Sequence, residues 1–178
     1  MTTLTLESLI ARRACYPRER IEALFDRPYT PIEVLTNRHG PWADVPDTDR
    51  LWAVLHTGVI DSRTLRLFAC DCAERALERE RKAGREPHAD SWKAIEVARR
   101  FADGKATTKE LEAARSAAYA ADADAAAYAA AYAAYAADAD AAAYAAAYAA
   151  YAAVYAAYAA ERRWQVERLV EMLKGGAK

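Results

Sequence analysis

A unit of 16 residues, Tyr119 to Ala134, recurs without a single change as Tyr135 to Ala150. A third copy starts at Tyr151 and diverges at Val154. Each unit reads Tyr-Ala-Ala-Asp-Ala-Asp-Ala-Ala-Ala-Tyr-Ala-Ala-Ala-Tyr-Ala-Ala. The stretch 117–160 around it holds 30 Ala, 9 Tyr, 4 Asp and 1 Val. Alanine is the strongest helix former, and neither Gly nor Pro occurs from Lys105 to Lys174, so this region is helical.

The tyrosine spacing constrains it further. Tyr128, Tyr132 and Tyr135 are spaced four and then three, and Tyr144, Tyr148, Tyr151, Tyr155 and Tyr158 continue that pattern, which is a heptad seam. Between seams the gap is nine residues, which turns the stripe by about 180° on a straight helix. Either one helix passes through with two opposite contact faces, or the chain reverses at Asp122-Ala123-Asp124 and Asp138-Ala139-Asp140 into antiparallel helices. Asp can cap a restarted helix. The lack of Gly and Pro tips the reading toward one continuous helix, about 100 Å long over 108–174. Rows of tyrosine this regular predict burial of Tyr144, Tyr148, Tyr151 and Tyr155 against another helix. The partner-binding or helix-packing set is Tyr128, Tyr132, Tyr135, Tyr144, Tyr148, Tyr151, Tyr155 and Tyr158.

Ahead of the repeat the chain carries a series of helix start signals. Thr5 between Leu4 and Leu9 has the spacing of a hydrophobic staple and predicts a helix over roughly 6–14. Pro17 at a first helical position starts the next, with Ile21, Leu24 and Phe25 on one face. Thr30-Pro31-Ile32-Glu33 is a capping box. Pro46 to Asp49 opens a helix through Leu51, Trp52, Val54 and Leu55, with Gly58 as its stop. Asp61 or Ser62 caps a longer helix over about 63–83. On it Leu65, Phe68, Ala69, Cys72 and Ala76 form one stripe, widened by Leu67, Cys70 and Leu77, so it is the central core helix. Phe68 and Trp52 are both expected in the core. Ser91 caps Trp92 to Ala102, and Thr107 with Glu110 forms another capping box. The fold class is all-α: a bundle of short helices over 1–104, then an Ala/Tyr-rich helical region over 105–178 that packs on the bundle or on a second copy.

Composition narrows the function. The 178 residues carry 25 Lys+Arg against 26 Asp+Glu, a net charge of −1, so no global basic field recruits nucleic acid. No signal peptide is read at Met1-Thr2-Thr3-Leu4-Thr5. The Ala/Tyr tract is long enough to cross a bilayer, but Ala is nearly neutral for insertion and each Asp is costly at the centre, so no membrane span is expected. Cys15, Cys70 and Cys72 cannot pair completely and read as reduced thiols of a cytoplasmic protein.

Catalytic and metal chemistry lack a constellation. Cys70-Asp71-Cys72 has no further ligands at zinc spacing, since His39, His56 and His88 stand in no such register. Cys72 lies on the apolar stripe, which raises a thiol pKa rather than lowering it. The Asp pairs are two apart and point away from each other. There is no phosphate loop and no nucleophile elbow. No enzyme, metal or cofactor is expected.

One resemblance is carried by particular residues. Asp49-Arg50-Leu51-Trp52-Ala53-Val54-Leu55 begins it, followed by Arg63-Thr64-Leu65-Arg66-Leu67 and the run Phe68-Ala69-Cys70-Asp71-Cys72-Ala73-Glu74-Arg75-Ala76-Leu77. Ala94 to Gly104, Glu110 to Arg115 and Glu161-Arg162-Arg163-Trp164-Gln165 continue it. Over roughly 45–174 the chain resembles the immunity-protein family assigned to bacterial polymorphic-toxin systems, which also occurs in phage and prophage genomes. Members of that family often carry Trp or Arg where this tract has Tyr. The resemblance implies a non-enzymatic protein that neutralises a toxin or defence effector in a bacterial cell or phage-infected host. It supplies no catalytic residues. The alternative is a structural or assembly protein, phage-borne, that oligomerises through its Tyr/Ala helices.

Overall fold

The structure is a computed structural model that describes residues 2–12, 14–56, 58–121, 125–135, 141–151 and 155–175. These form ten α-helices and one 3-10 turn, with no strand among the described residues. The fold is all-α.

Five short elements come first: α1 (Leu6–Ala11), α2 (Arg18–Leu24), α3 (Pro31–Thr36), the 3-10 turn Gly40–Trp42 and α4 (Asp47–Val54). Thr5 caps α1 through Ser8 rather than through an acidic residue, closing a capping box with the Ser8 hydroxyl. Pro17 stands one residue before α2, at the cap, and the helix itself begins at Arg18. The Thr30–Glu33 box forms as its spacing requires. Leu4 and Tyr29 exchange both backbone hydrogen bonds, at 2.7 and 2.9 Å, which ties the N-terminal segment to the start of α3.

Arg50 holds this cluster together from inside. It is the largest fully buried side chain, and its guanidinium donates to the carbonyls of Val45, Val34, Asn37 and Trp42 at 2.5–2.9 Å. One planar five-donor group thus binds three carbonyls of the loop from α3 to α4 and one inside α3 at once. Burial pushes the Arg50 pKa down to about 10, so the group stays cationic at neutral pH.

The long helix α5 (Ser62–Lys82) is capped by Asp61, whose carboxylate accepts the Thr64 amide. Leu65, Phe68, Ala69, Cys70, Cys72, Ala73, Ala76 and Leu77 are all fully buried on it. α6 (Ala89–Ala102) begins three residues earlier than its Ser91 suggests. His88 takes the cap by accepting the Asp90 amide, and Ser91 is buried within the helix. Trp52 is the other departure. It is 39% exposed, because the Arg12 guanidinium lies over its ring and bonds the carbonyls of Trp52 and Ala53, which holds the indole at the surface.

The Ala/Tyr region is not one rod. It divides into α7 (Thr108–Ala121), α8 (Ala125–Tyr135), α9 (Ala141–Tyr151) and α10 (Tyr155–Gly175). Ring contacts of Tyr119 with Tyr128, Tyr128 with Tyr148 and Tyr132 with Tyr144 require α7, α8 and α9 to alternate in direction. The reversals fall between Ala121 and Ala125 and between Tyr135 and Ala141, where the sequence carries Asp-Ala-Asp; those four Asp lie outside the described residues. Reversal lets α8 and α9 pack on α5 and on each other, whereas a 100 Å rod would leave its apolar surface in water.

What α8 and α9 bury is alanine. Ala129, Ala130, Ala131, Ala133, Ala145, Ala146 and Ala149 are 0–1% exposed. Small side chains let helix backbones approach more closely than Leu or Ile would. The buried apolar residues form one connected cluster from Leu4 to Leu173. α10 touches α3 and α4 as well as α5 and α9, so the last helix joins the first helices to the repeat.

Candidate functional site

Helices α8 and α9 have the same sequence, Ala-Ala-Ala-Tyr-Ala-Ala-Ala-Tyr-Ala-Ala-Tyr. Laid antiparallel, two identical helices meet about a pseudo-twofold axis. The rings obey it: Tyr128 meets Tyr148 at 5.6 Å between centroids, and the equivalent pair, Tyr132 and Tyr144, meets at 5.7 Å. On the axis Tyr132 and Tyr148 stack at 4.9 Å with 12° between planes. α7 adds a fifth ring, Tyr119, edge-on to Tyr128 at 5.6 Å and to Tyr132 at 6.1 Å.

These five rings form one face on three consecutive helices. Tyr144 is 59% exposed and Tyr119 40% exposed, while Tyr128, Tyr132 and Tyr148 are half-buried. The expected burial of Tyr144 is therefore overturned. Its alanine neighbours take the core, and a phenol at the margin keeps its hydroxyl wet while its ring edge stays packed. The Tyr132 hydroxyl is held above its ordinary pKa, first by hydrogen bonding with Tyr119 and then by burial. Tyr148 is raised by its neighbour Tyr132. Tyr132 and Tyr148 are therefore neutral phenols at physiological pH.

Of the eight tyrosines singled out by spacing, Tyr128, Tyr132, Tyr144 and Tyr148 come together. Tyr158 sits instead on α10, where Arg162 lies over its ring and donates to its hydroxyl at 3.2 Å. The side chains of Tyr135, Tyr151 and Tyr155 lie outside the described residues. Spacing alone missed Tyr119 as a member of the face. Its nine-residue gap to Tyr128 puts it on the opposite side of a straight helix, but across a reversal it lands on the same side.

A buried ionic clasp fixes the repeat to the rest. Glu161, 1% exposed, accepts from Arg75 at 2.9 Å and from Arg79. Arg79 also donates to the Ala149 carbonyl at 2.6 Å, and Gln165 donates to the Ala146 carbonyl at 2.9 Å. Ala149 lies in the last turn of α9, where carbonyls lack a partner within the helix and the helix end is negative, so a guanidinium donor stabilises it there. A second clasp centres on Asp71, which binds Arg99 and Arg168, each at 2.8 Å, and so joins α5 to α6 and α10.

The cysteines and histidines are spent locally. Cys70 and Cys72 are buried; burial pushes the Cys70 thiol up to about 12 and raises Cys72 as well. His56 accepts the Gly58 amide, His88 caps α6, and His39 stands at the cap of the 3-10 turn. Among the described residues no three His, Cys, Asp or Glu gather as a metal-binding set, and no helix is long and apolar enough to cross a membrane. Comparison with protein-family models, with curated proteins and with solved structures finds no match in any of the three.

Proposed function

We propose that this chain is a non-enzymatic protein-binding module that holds a toxin or defence effector inactive in the cytoplasm, and that the tyrosine face is its contact surface. The observation that carries the reading is the five-ring cluster with Tyr119 and Tyr144 exposed. Tyrosine supplies large contact area at low entropic cost and is enriched at interface centres. The resemblance to immunity proteins supports the same reading.

The partner's chemistry follows from charge. From Ser116 to Glu161 the chain has no Lys, Arg or His and carries five carboxylates. Tyrosine rings suit a partner that presents Arg or Lys through cation–π contacts, and the acidic sequence of this stretch steers such a partner toward it.

Co-expression with candidate toxins from the native host tests this. The wild type restores growth and co-purifies with the toxin, and binding weakens as salt rises. The double variant Tyr119→Ser, Tyr144→Ser keeps its melting temperature and loses protection. Full protection by that variant would overturn the assignment of the surface. The pseudo-twofold pairing of rings also suits self-assembly. A dimer in light scattering that the same variant dissociates would assign the face to that use instead.

A further inference from the structure

A second feature lies away from the tyrosine face, among the short N-terminal helices. A cavity of about 190 Å³ lies between α1, α2, α4 and the 3-10 turn and is open on one side. Leu9, Ile21, Leu24, Val45 and Ala53 supply aliphatic wall, and Tyr16, Phe25, Trp42 and Trp52 supply four rings. Well-packed interiors hold few voids larger than a water molecule, and an apolar void of 150 Å³ stays dry and takes up benzene. A space of about 190 Å³ takes roughly one six-membered ring with one or two further heavy atoms.

The polar groups at the wall define the rest. Asp49 accepts the Tyr16 hydroxyl, and both side chains line the cavity. A carboxylate has about four lone-pair sites, so Asp49 retains acceptors for a second donor. Trp42 is buried, and its ring packs beside Tyr29 with 5.4 Å between centroids. Arg12 and Arg20 lie over the Trp52 and Tyr16 rings, 4.7 and 5.0 Å from their centroids. The two guanidiniums stand outside the lining and oppose entry of a cation, and Asp49, the charged residue within the lining, repels an anion that reaches it. Trp52 is half-exposed at this wall, and Cys15 is exposed there, so the space opens to solvent on that side.

We propose that this cavity binds a small neutral aromatic alcohol, a single ring whose hydroxyl donates to Asp49. The ring fills the space between the four aromatic side chains, in edge and offset contacts, and the hydroxyl reaches the Tyr16–Asp49 pair.

The test is titration of the whole chain with phenol, toluene, benzylamine and benzoate, followed by the indole N–H signals in NMR. Phenol shifts the Trp42 and Trp52 signals saturably and leaves those of Trp92 and Trp164 in place. It binds about tenfold more tightly than toluene, the worth of one hydrogen bond to a charged group. Asp49→Asn brings the two ligands closer together in affinity. Ala14→Leu fills the cavity from a half-buried position and abolishes the shifts, with Thr48→Leu as the alternative filler should the first fail to fold. No saturable shift, equal affinity for toluene, tighter binding of benzylamine or benzoate, or retained binding in a folded filled variant would each overturn the proposal.

Discussion

Tyr132 and Tyr148 occupy the same position in successive copies of the 16-residue repeat, and their rings stack on each other 4.9 Å apart. A repeat that reverses direction once per copy brings equivalent residues together at a twofold axis. The same operation separates the small side chains from the large ones. Alanines between the tyrosines turn toward α5 and become core, and the rings gather on the outer face. Tyr128 and Tyr144 are also repeat equivalents, yet Tyr144 is the more exposed, because Tyr119 of α7 packs on Tyr128.

The alanine core is the first point to test. Ala130→Leu or Ala146→Leu forces bulk between closely spaced backbones. Each should lower stability in urea by about 1–3 kcal/mol. Tyr144→Ala, at the exposed edge, should stay within about 0.5 kcal/mol of wild type. A tyrosine core would give the opposite order.

Phe68 and Trp52 separate in the same way. Phe68 is fully buried on α5, so Phe68→Ala should lose about 3–5 kcal/mol. Trp52 keeps only part of its surface from water and one stacked guanidinium, so Trp52→Ala should lose about 1 kcal/mol. Thermal melts of the two single variants decide it.

Arg50 should tolerate nothing else. Arg50→Met removes the side-chain donor of four carbonyls packed around a fully buried group, at a loss of about 3 kcal/mol or more. Arg50→Lys should not recover it, since an ammonium has three donors on one atom and cannot span the four acceptors. Denaturant midpoints at neutral pH measure both.

Glu161→Ala should cost about 2–3 kcal/mol, since it leaves Arg75 and Arg79 without their shared carboxylate. That is below the loss from a wholly buried pair, because both guanidiniums still reach water. Glu161→Gln should lose less, because one carbonyl oxygen remains to accept. Equal melting of all three proteins would show that the clasp does not hold α10 in place.

The thiols give a pH-dependent check. Cys15 should react with a thiol reagent at once, and Cys70 and Cys72 only on unfolding. The folded Cys70 pKa, about 12, lies above the 9 of a free thiol, so the native state keeps a proton that the unfolded chain loses. Its contribution is complete below pH 9 and is lost as pH rises from there toward 12. Cys70→Ala should therefore flatten the alkaline side of the stability curve.

Local chemistry wrote the helices into the chain. Thr30, Asp61 and Thr107 cap where their side chains can reach the third amide of a helix, which depends only on neighbours three residues away. The α5 stripe was visible for a similar reason, since a 3.6-residue period puts Leu65, Phe68, Ala69, Cys72 and Ala76 on one side whatever packs there. The tyrosine spacing likewise marked four of the five rings of the face.

Tertiary structure decided what local periodicity leaves degenerate. A nine-residue gap turns a stripe by half a circle on a straight helix and by nothing across a reversal, so whether Tyr119 joins Tyr128 depended on the path of the chain. Which side of α8 is core depended on α5, since Ala and Tyr both bury apolar surface and only close backbone approach selects alanine. Arg50 reads as an ordinary charge until the carbonyls of residues 5 to 16 positions away converge on it. Burial of a polar group is a property of what surrounds it in space, and no window along the chain contains that information.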